Sequence, residues 1–97
     1  MKPSKVLEKN RQAIRDATGR FNAANPRVFG SVARGEDRPD SDLDILVDAL
    51  PESTLLSLGG LQFALEQLLS GTEVHLLTPG DFPEEVLRRV LAEARPL

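Results

Sequence analysis

Asp42 and Asp44 stand two residues apart in the run Ser41-Asp42-Leu43-Asp44-Ile45-Leu46-Val47-Asp48. Alternate side chains of an extended chain point to opposite faces, so this spacing sets both carboxylates on one side and Leu43, Ile45 and Val47 on the other. Neighbouring carboxylates suit magnesium, a hard cation that takes one or two protein oxygens and completes its shell with water and phosphate oxygens. The chemistry served is phosphoryl or nucleotidyl transfer, with one ion or two. A solvated acidic strand edge would carry the same pair.

Gly30-Ser31 precedes the aspartates, with ten residues between Ser31 and Asp42. It lies where a short apolar step, Val28-Phe29, hands over to a helical turn through Val32, Ala33 and Arg34. Glycine lets backbone approach a phosphate closely, a helix start aims free N–H groups at it, and the Ser31 hydroxyl adds a hydrogen bond. Taken alone, a Gly-Ser pair also makes an ordinary turn and helix cap. The joint pattern fixes four positions, and at ~6% for each residue type a chance match in a chain of this size is about one in a thousand.

Ninety-seven residues make one small domain, residues 1–97, with room for one core and one shallow site. A chain this short buries little over ~60% of its unfolded surface. A large acceptor must therefore come from another chain or dock on an open face. Absence of cysteine excludes disulfides, thiolate metal sites and a nucleophilic thiol, and the single histidine, His75, excludes a multi-histidine zinc site. The mixed charged segment from Lys2 to Arg15 lacks the apolar run of a signal peptide, and no stretch reaches the length of a membrane span. A soluble cytoplasmic protein is expected.

The net charge of −3 conceals an asymmetry: residues 1–38 hold nine Lys/Arg against four Asp/Glu, whereas residues 39–97 hold three against eleven. Cations on one side and carboxylates on the other suit a site for anionic phosphate and metal, although two solvated faces would look the same.

The elements that must position these residues follow from periodicity. Val6, Leu7, Ile14 and Ala17 predict a first helix over 4–18, ended by Thr18-Gly19. Asn25-Pro26 breaks the chain before strand Val28-Phe29. The alternating Ser41 to Asp48 run is the second strand, and Pro51 to Ser53 a turn. Leu58, Leu61, Leu65 and Leu68 mark a helix ending near Ser70-Gly71, its start blurred by Gly59-Gly60. Glu73 to Leu77 reads as a third strand, with Glu73 and His75 on one face. Asp81-Phe82-Pro83-Glu84 reads as a capping box for a last helix with the stripe Val86, Leu87, Val90, Leu91 and Ala94. The order implies an α/β (α+β) fold, a small mixed sheet of about three strands with helices packed on one face. The opposite face then carries Asp42, Asp44 and His75, which is costly unless it is wet or holds a cation.

The segment VFGSVARGEDRPDSDLDILVD, residues 28–48, resembles the signature of the minimal nucleotidyltransferases of the DNA polymerase β-like superfamily. The resemblance covers most of the chain, from the leading helix to the closing amphipathic one. It implies that Gly30 and Ser31 grip the triphosphate of ATP or another nucleoside triphosphate. It further implies that Asp42 and Asp44 bind magnesium, and that Arg34, in the matching Ala-Arg-Gly stretch, reaches a phosphate. As a surface residue Arg34 would equally serve a salt bridge.

The family usually carries a third carboxylate on the next strand, within Val-Asp-Leu, where it helps bind the metal and promotes deprotonation of the acceptor hydroxyl. Here that stretch reads Val74-His75-Leu76. Three readings follow: His75 substitutes, since imidazole can ligate metal or accept a proton; Glu73, two residues back on the same face, is recruited; or catalysis is lost. Imidazole is a poorer magnesium ligand than carboxylate, which keeps the third reading open.

The chain has no tyrosine or tryptophan on which a base could stack. Minimal nucleotidyltransferases often accompany a small helical protein of the HEPN fold, and the resemblance implies an antitoxin that transfers AMP to that partner. The alternative is a nucleotide-binding module that neutralises a HEPN partner by binding alone. Direct nucleic-acid binding has only the basic N-terminal third behind it and ranks last.

Overall fold

The alternation of residues 43–47 decides the layers. The computed structural model, which describes residues 1–97, buries Leu43, Ile45 and Val47 completely, and Leu46 between them on the other face is equally buried. The central strand is thus covered from both sides. In chain order the elements are α1 (Pro3–Arg20), β1 (Ala23–Phe29), α2 (Ser31–Arg34), β2 (Leu43–Ala49), α3 (Leu55–Leu68), β3 (Val74–Leu77), a 3-10 turn (Pro79–Asp81), α4 (Glu84–Glu93) and β4 (Arg95–Pro96). The sheet order is β3-β2-β1-β4; β1 is antiparallel to β2 and β4, and β2 runs parallel to β3. No helix is long and apolar enough to cross a membrane.

On one face Leu43, Ile45, Val47, Val28 and Val74 meet Leu7, Ile14 and Ala17 of α1 and Leu61 and Leu65 of α3. Each large aliphatic side chain so buried contributes about 1.5–3 kcal/mol. On the other face Phe29 and Leu46 pack against Val90 of α4, with Val86 and Phe82 at the margin.

The α/β class and mixed sheet expected from sequence are observed, with two refinements. The sheet has four strands rather than about three, because the last residues fold back beside β1 and Leu97 N–H donates to Pro26 O at 3.0 Å. A two-residue strand containing proline leaves no alternation to read. Helices cover both faces, since α4 lies opposite α1 and α3. Periodicity identifies a helix's apolar stripe, not the sheet face that receives it.

Other boundaries differ for local reasons. The strand β1 starts five residues early because a bulge between Ala24 and Arg27 absorbs Asn25-Pro26, with Asn25 at φ 54°. The helix α1 runs through Gly19 to Arg20. The start of α3 is set by a Thr54–Ser57 capping box, and Leu69 is buried where Leu68 was expected. Gly60 sits inside α3 because a Cβ there would meet the Phe21 ring at 2.7 Å. Asp81 does not cap α4; it accepts from Thr78 N–H at 2.8 Å and closes the 3-10 turn, while Pro83 stands at the α4 N-cap.

Two polar contacts hold the frame. Gln62 of α3 donates to Val74 O at 2.8 Å and accepts from Leu76 N–H at 3.2 Å, covering the backbone groups at the outer edge of β3. Asp37, buried in the segment between α2 and β2, accepts from Ser4 N–H at 2.9 Å and caps the start of α1 from 33 residues away. Burial opposes its charge, yet the bonds from Ser4 and the charge of Lys2 together hold the carboxyl below its usual range.

A group with a depressed folded pKa contributes stability that is present above its unfolded value and lost as pH falls through its folded one. Asp37→Ala is therefore expected to cost about 1 kcal/mol in urea unfolding at neutral pH. The deficit should shrink as pH falls through the depressed range; a pH-independent deficit would show that the cap charge contributes nothing.

Candidate active site

The β1–β2 register sets Phe29 opposite Asp44, so the turn that follows β1 lies against the Asp44 carboxylate. At Gly30 the backbone takes φ 74° and ψ −152°, and an added Cβ would collide with Asp44 Oδ2. Glycine is required there twice, by the left-handed φ and by the lack of space. Ser31 opens α2 immediately beyond, and Arg34 closes it.

These residues share one cleft of about 610 Å³ with Asp40, Ser41, Asp42 and Asp44 on the β2 side. Its remaining wall was not foreseen. Phe29, Phe82, Val86 and Val90 supply an apolar surface, and Arg89 and Glu93 of α4 supply charge. Phe29 and Phe82 meet edge to face with centroids 5.9 Å apart. Periodicity marks the α4 stripe as apolar without distinguishing lining from packing, and the phenylalanines carry no pattern that would.

His75 and Glu73 do not line the cleft but approach the aspartates from β3, the strand on the other side of β2. Parallel pairing sets His75 beside Asp44, with Nδ1 3.2 Å from Asp44 Oδ1. Its Nε2 lies 3.6 Å from Asp42 Oδ2 and 3.4 Å from Glu73 Oε2. One half-exposed imidazole thus touches three carboxylates. Asp42, Glu73 and His75 offer ligand atoms within 4.8 Å of one another; Asp44 is not of that set and touches the other nitrogen of the imidazole. This oxygen-rich donor set fits a divalent cation.

The electrostatics are strained on one side of the cleft and satisfied on the other. Partial burial pushes the Asp44 carboxyl above its usual range; the His75 contact draws it down, and the neighbouring Asp42 charge pushes it up again. Arg34 is paired twice, through Nε to Glu36 at 2.9 Å and through Nη1 to Glu93 at 3.1 Å, and both carboxylates hold its guanidinium above its usual range. Gly30 N–H donates to Glu93 Oε2 at 2.6 Å.

The turn that must be glycine is pressed against Asp44, and the model of the nucleotidyltransferase domain family matches residues 7–97. The chain belongs to this family. It is also similar to protein adenylyltransferase MntA of Thermococcus cleftensis, at 36% identity over 91% of this chain and 85% of the relative. A solved structure assigned as a minimal nucleotidyltransferase superposes with TM-score 0.86 at 42% identity, covering 97% of this chain and 95% of the other. A chain of a toxin–antitoxin complex crystallised with AMP-PNP shares the fold, at TM-score 0.64 and 20% identity over 97% of this chain and 71% of that one. The chain is accordingly a nucleotidyltransferase of the minimal type.

The raised Asp44 carboxyl yields a stability prediction of definite sign. Its ionised form is costlier folded than unfolded, so above its folded pKa the charge subtracts from stability, and acidification through that range relieves the cost. Asp44→Asn should raise the Tm of metal-free protein at neutral pH by a few degrees, on the order of one removed carboxylate repulsion. Magnesium should raise the wild-type Tm and leave that of Asp44→Asn almost unmoved. A lower Tm in the metal-free variant would show that the His75 contact outweighs desolvation.

Proposed function

We propose that this chain transfers AMP from ATP, with magnesium, to a hydroxyl of a partner protein, and that the partner is a small helical HEPN toxin for which it is the antitoxin. The observation that carries the reading is the convergence of Gly30 and Ser31 with Asp42 and Asp44 on one open cleft. Similarity to an adenylyltransferase and to a chain of a toxin–antitoxin complex crystallised with AMP-PNP supports the choice of nucleotide and partner class. Residues 1–97 act as one domain in the cytoplasm, without a membrane and with no direct role for nucleic acid.

In this reading Gly30, Ser31 and Arg34 hold the β- and γ-phosphates, which orients the α-phosphate toward β2. Asp42 and Asp44 would hold magnesium, which would supply positive charge to offset that of the reacting phosphates. The partner hydroxyl attacks phosphorus, the bond from the α-phosphorus to the bridging oxygen breaks, and pyrophosphate departs from the Gly30 side. With Nδ1 turned to Asp44, His75 has Nε2 to receive the hydroxyl proton, and Glu73 at 3.4 Å stabilises the resulting imidazolium. The apolar wall of Phe82 and Val86 holds the base by contact area rather than by hydrogen bonds, so discrimination among bases is weak.

A second reading is kept alive by His75 itself. An imidazole in contact with both metal-binding aspartates competes for the oxygens magnesium needs, and a nucleotide-binding module would then neutralise the partner by masking it.

Incubation with isotope-labelled ATP, magnesium and the HEPN partner, followed by mass analysis of both proteins, separates the two. The expected result is addition of AMP to the partner, abolished by Asp42→Asn or Asp44→Asn. His75→Ala should slow transfer about 100-fold or more, whereas His75→Asp should retain or raise it. Neutralisation of the partner without any mass increase would establish masking.

A further inference from the structure

The donors that would hold the triphosphate already hold an anion of the protein itself. Glu93, the last residue of α4, takes Gly30 N–H at 2.6 Å with one carboxylate oxygen, and both its oxygens accept from Arg34 Nη1, at 3.1 and 3.3 Å. Its side chain is only 27% exposed. The position is fixed from both ends: Val90, one turn earlier, is buried against Phe29 and Leu46, and Arg95, two residues later, pairs with Val28. Arg89, one turn back on the same helix, lines the same cleft, and its side chain makes no ion pair or hydrogen bond.

We propose that Glu93 is a built-in surrogate for a nucleotide phosphate, which an incoming triphosphate must displace from Gly30 and Arg34, so that Glu93 sets the affinity for nucleotide. The inference rests on the nucleotide-binding reading of the cleft. A carboxylate on a backbone N–H and a guanidinium makes the same charge-assisted contacts as a phosphate oxygen, and the two anions cannot share them. The exchange has a route that leaves no charge stranded. Displaced from Gly30, Glu93 lies within one helical turn of the unpaired Arg89, at the spacing where opposite charges on a helix meet. Without ligand, the pairing keeps Gly30 N–H and Arg34 from small phosphates; only a multivalent anion chelated by several donors exchanges favourably.

Isothermal titration of wild type, Glu93→Gln and Glu93→Ala with magnesium–ATP and magnesium–inorganic triphosphate tests this, with circular dichroism and Tm to establish that each variant folds. The expected result is tighter binding of both probes by Glu93→Ala, about tenfold, the scale of one charge-assisted contact, with Glu93→Gln between it and wild type. Hydrogen exchange at Gly30 should be slow in unliganded wild type, fast in unliganded Glu93→Ala and slow again when triphosphate is bound. If folded Glu93→Ala binds both probes equally or more weakly, Glu93 positions Arg34 for phosphate instead and the surrogate role is overturned. If neither wild type nor any Glu93 variant binds either probe, the nucleotide-binding reading fails with it. Wild-type binding without a gain in the variants sinks this inference alone.

Discussion

Everything in this molecule hangs on β2, a central strand required to satisfy two faces at once. Leu43, Ile45 and Val47 anchor the larger core against α1 and α3, while Asp42, Asp44 and Leu46 alternate with them. A shift of one residue in register would drive Asp44 into the larger core and turn Ile45 to the cleft face. The pairing of β2 with both β1 and β3 prevents that, and the same pairing brings the Gly30 turn to one side of Asp44 and His75 to the other. Folding and site assembly are therefore one event: the hydrophobic pattern that selects the register also selects which carboxylate meets glycine.

The cost of this economy appears at Asp44, which is partly buried and repelled by Asp42. The surrounding charges are arranged around the cost rather than removing it. His75 bridges the carboxylates from β3, and Glu93 and Glu36 occupy Arg34 on the far side of the cleft. Arg34 is consequently a weaker counter-charge for Asp44 than its place in the cleft suggests. In the proposed function, a divalent metal would enter the half rich in carboxylates, and a triphosphate would replace a carboxylate already held in the other.

The residues best read from sequence were those whose role imposes a local pattern. Alternation in β2 located its two faces, and type and spacing singled out Gly30 beside Ser31, although not its left-handed φ. What escaped lacked such a pattern. The strand β4 is two residues long and includes proline, and the bulge at Asn25-Pro26 looks in sequence like a break. The side of the sheet chosen by α4 depends on the short connection through the 3-10 turn and on Leu46, whose burial no alternating reading predicts. With all helices expected on one face, nothing pointed to Arg89 and Glu93 of α4 as cleft residues, although a glutamate at a helix C-terminus is itself a weak anomaly. Carboxylates are disfavoured where the helix dipole is negative.

That anomaly is resolved by what Glu93 touches. At the end of α4 its charge opposes the helix dipole, so its position must be supported from outside the helix, and the Gly30 N–H and Arg34 provide that support. The three contacts also tie α4, which carries much of the apolar cleft wall, to the turn after β1. Removing the carboxylate from those donors therefore loosens the wall as well as freeing the anion site. Under the proposed exchange, a triphosphate that took over both donors would substitute its own charge at the same point and join the two sides of the cleft in place of Glu93. Attachment of α4 to the turn after β1 and the availability of the Gly30 and Arg34 donors are thus coupled by a single side chain at the junction of α4 and β4.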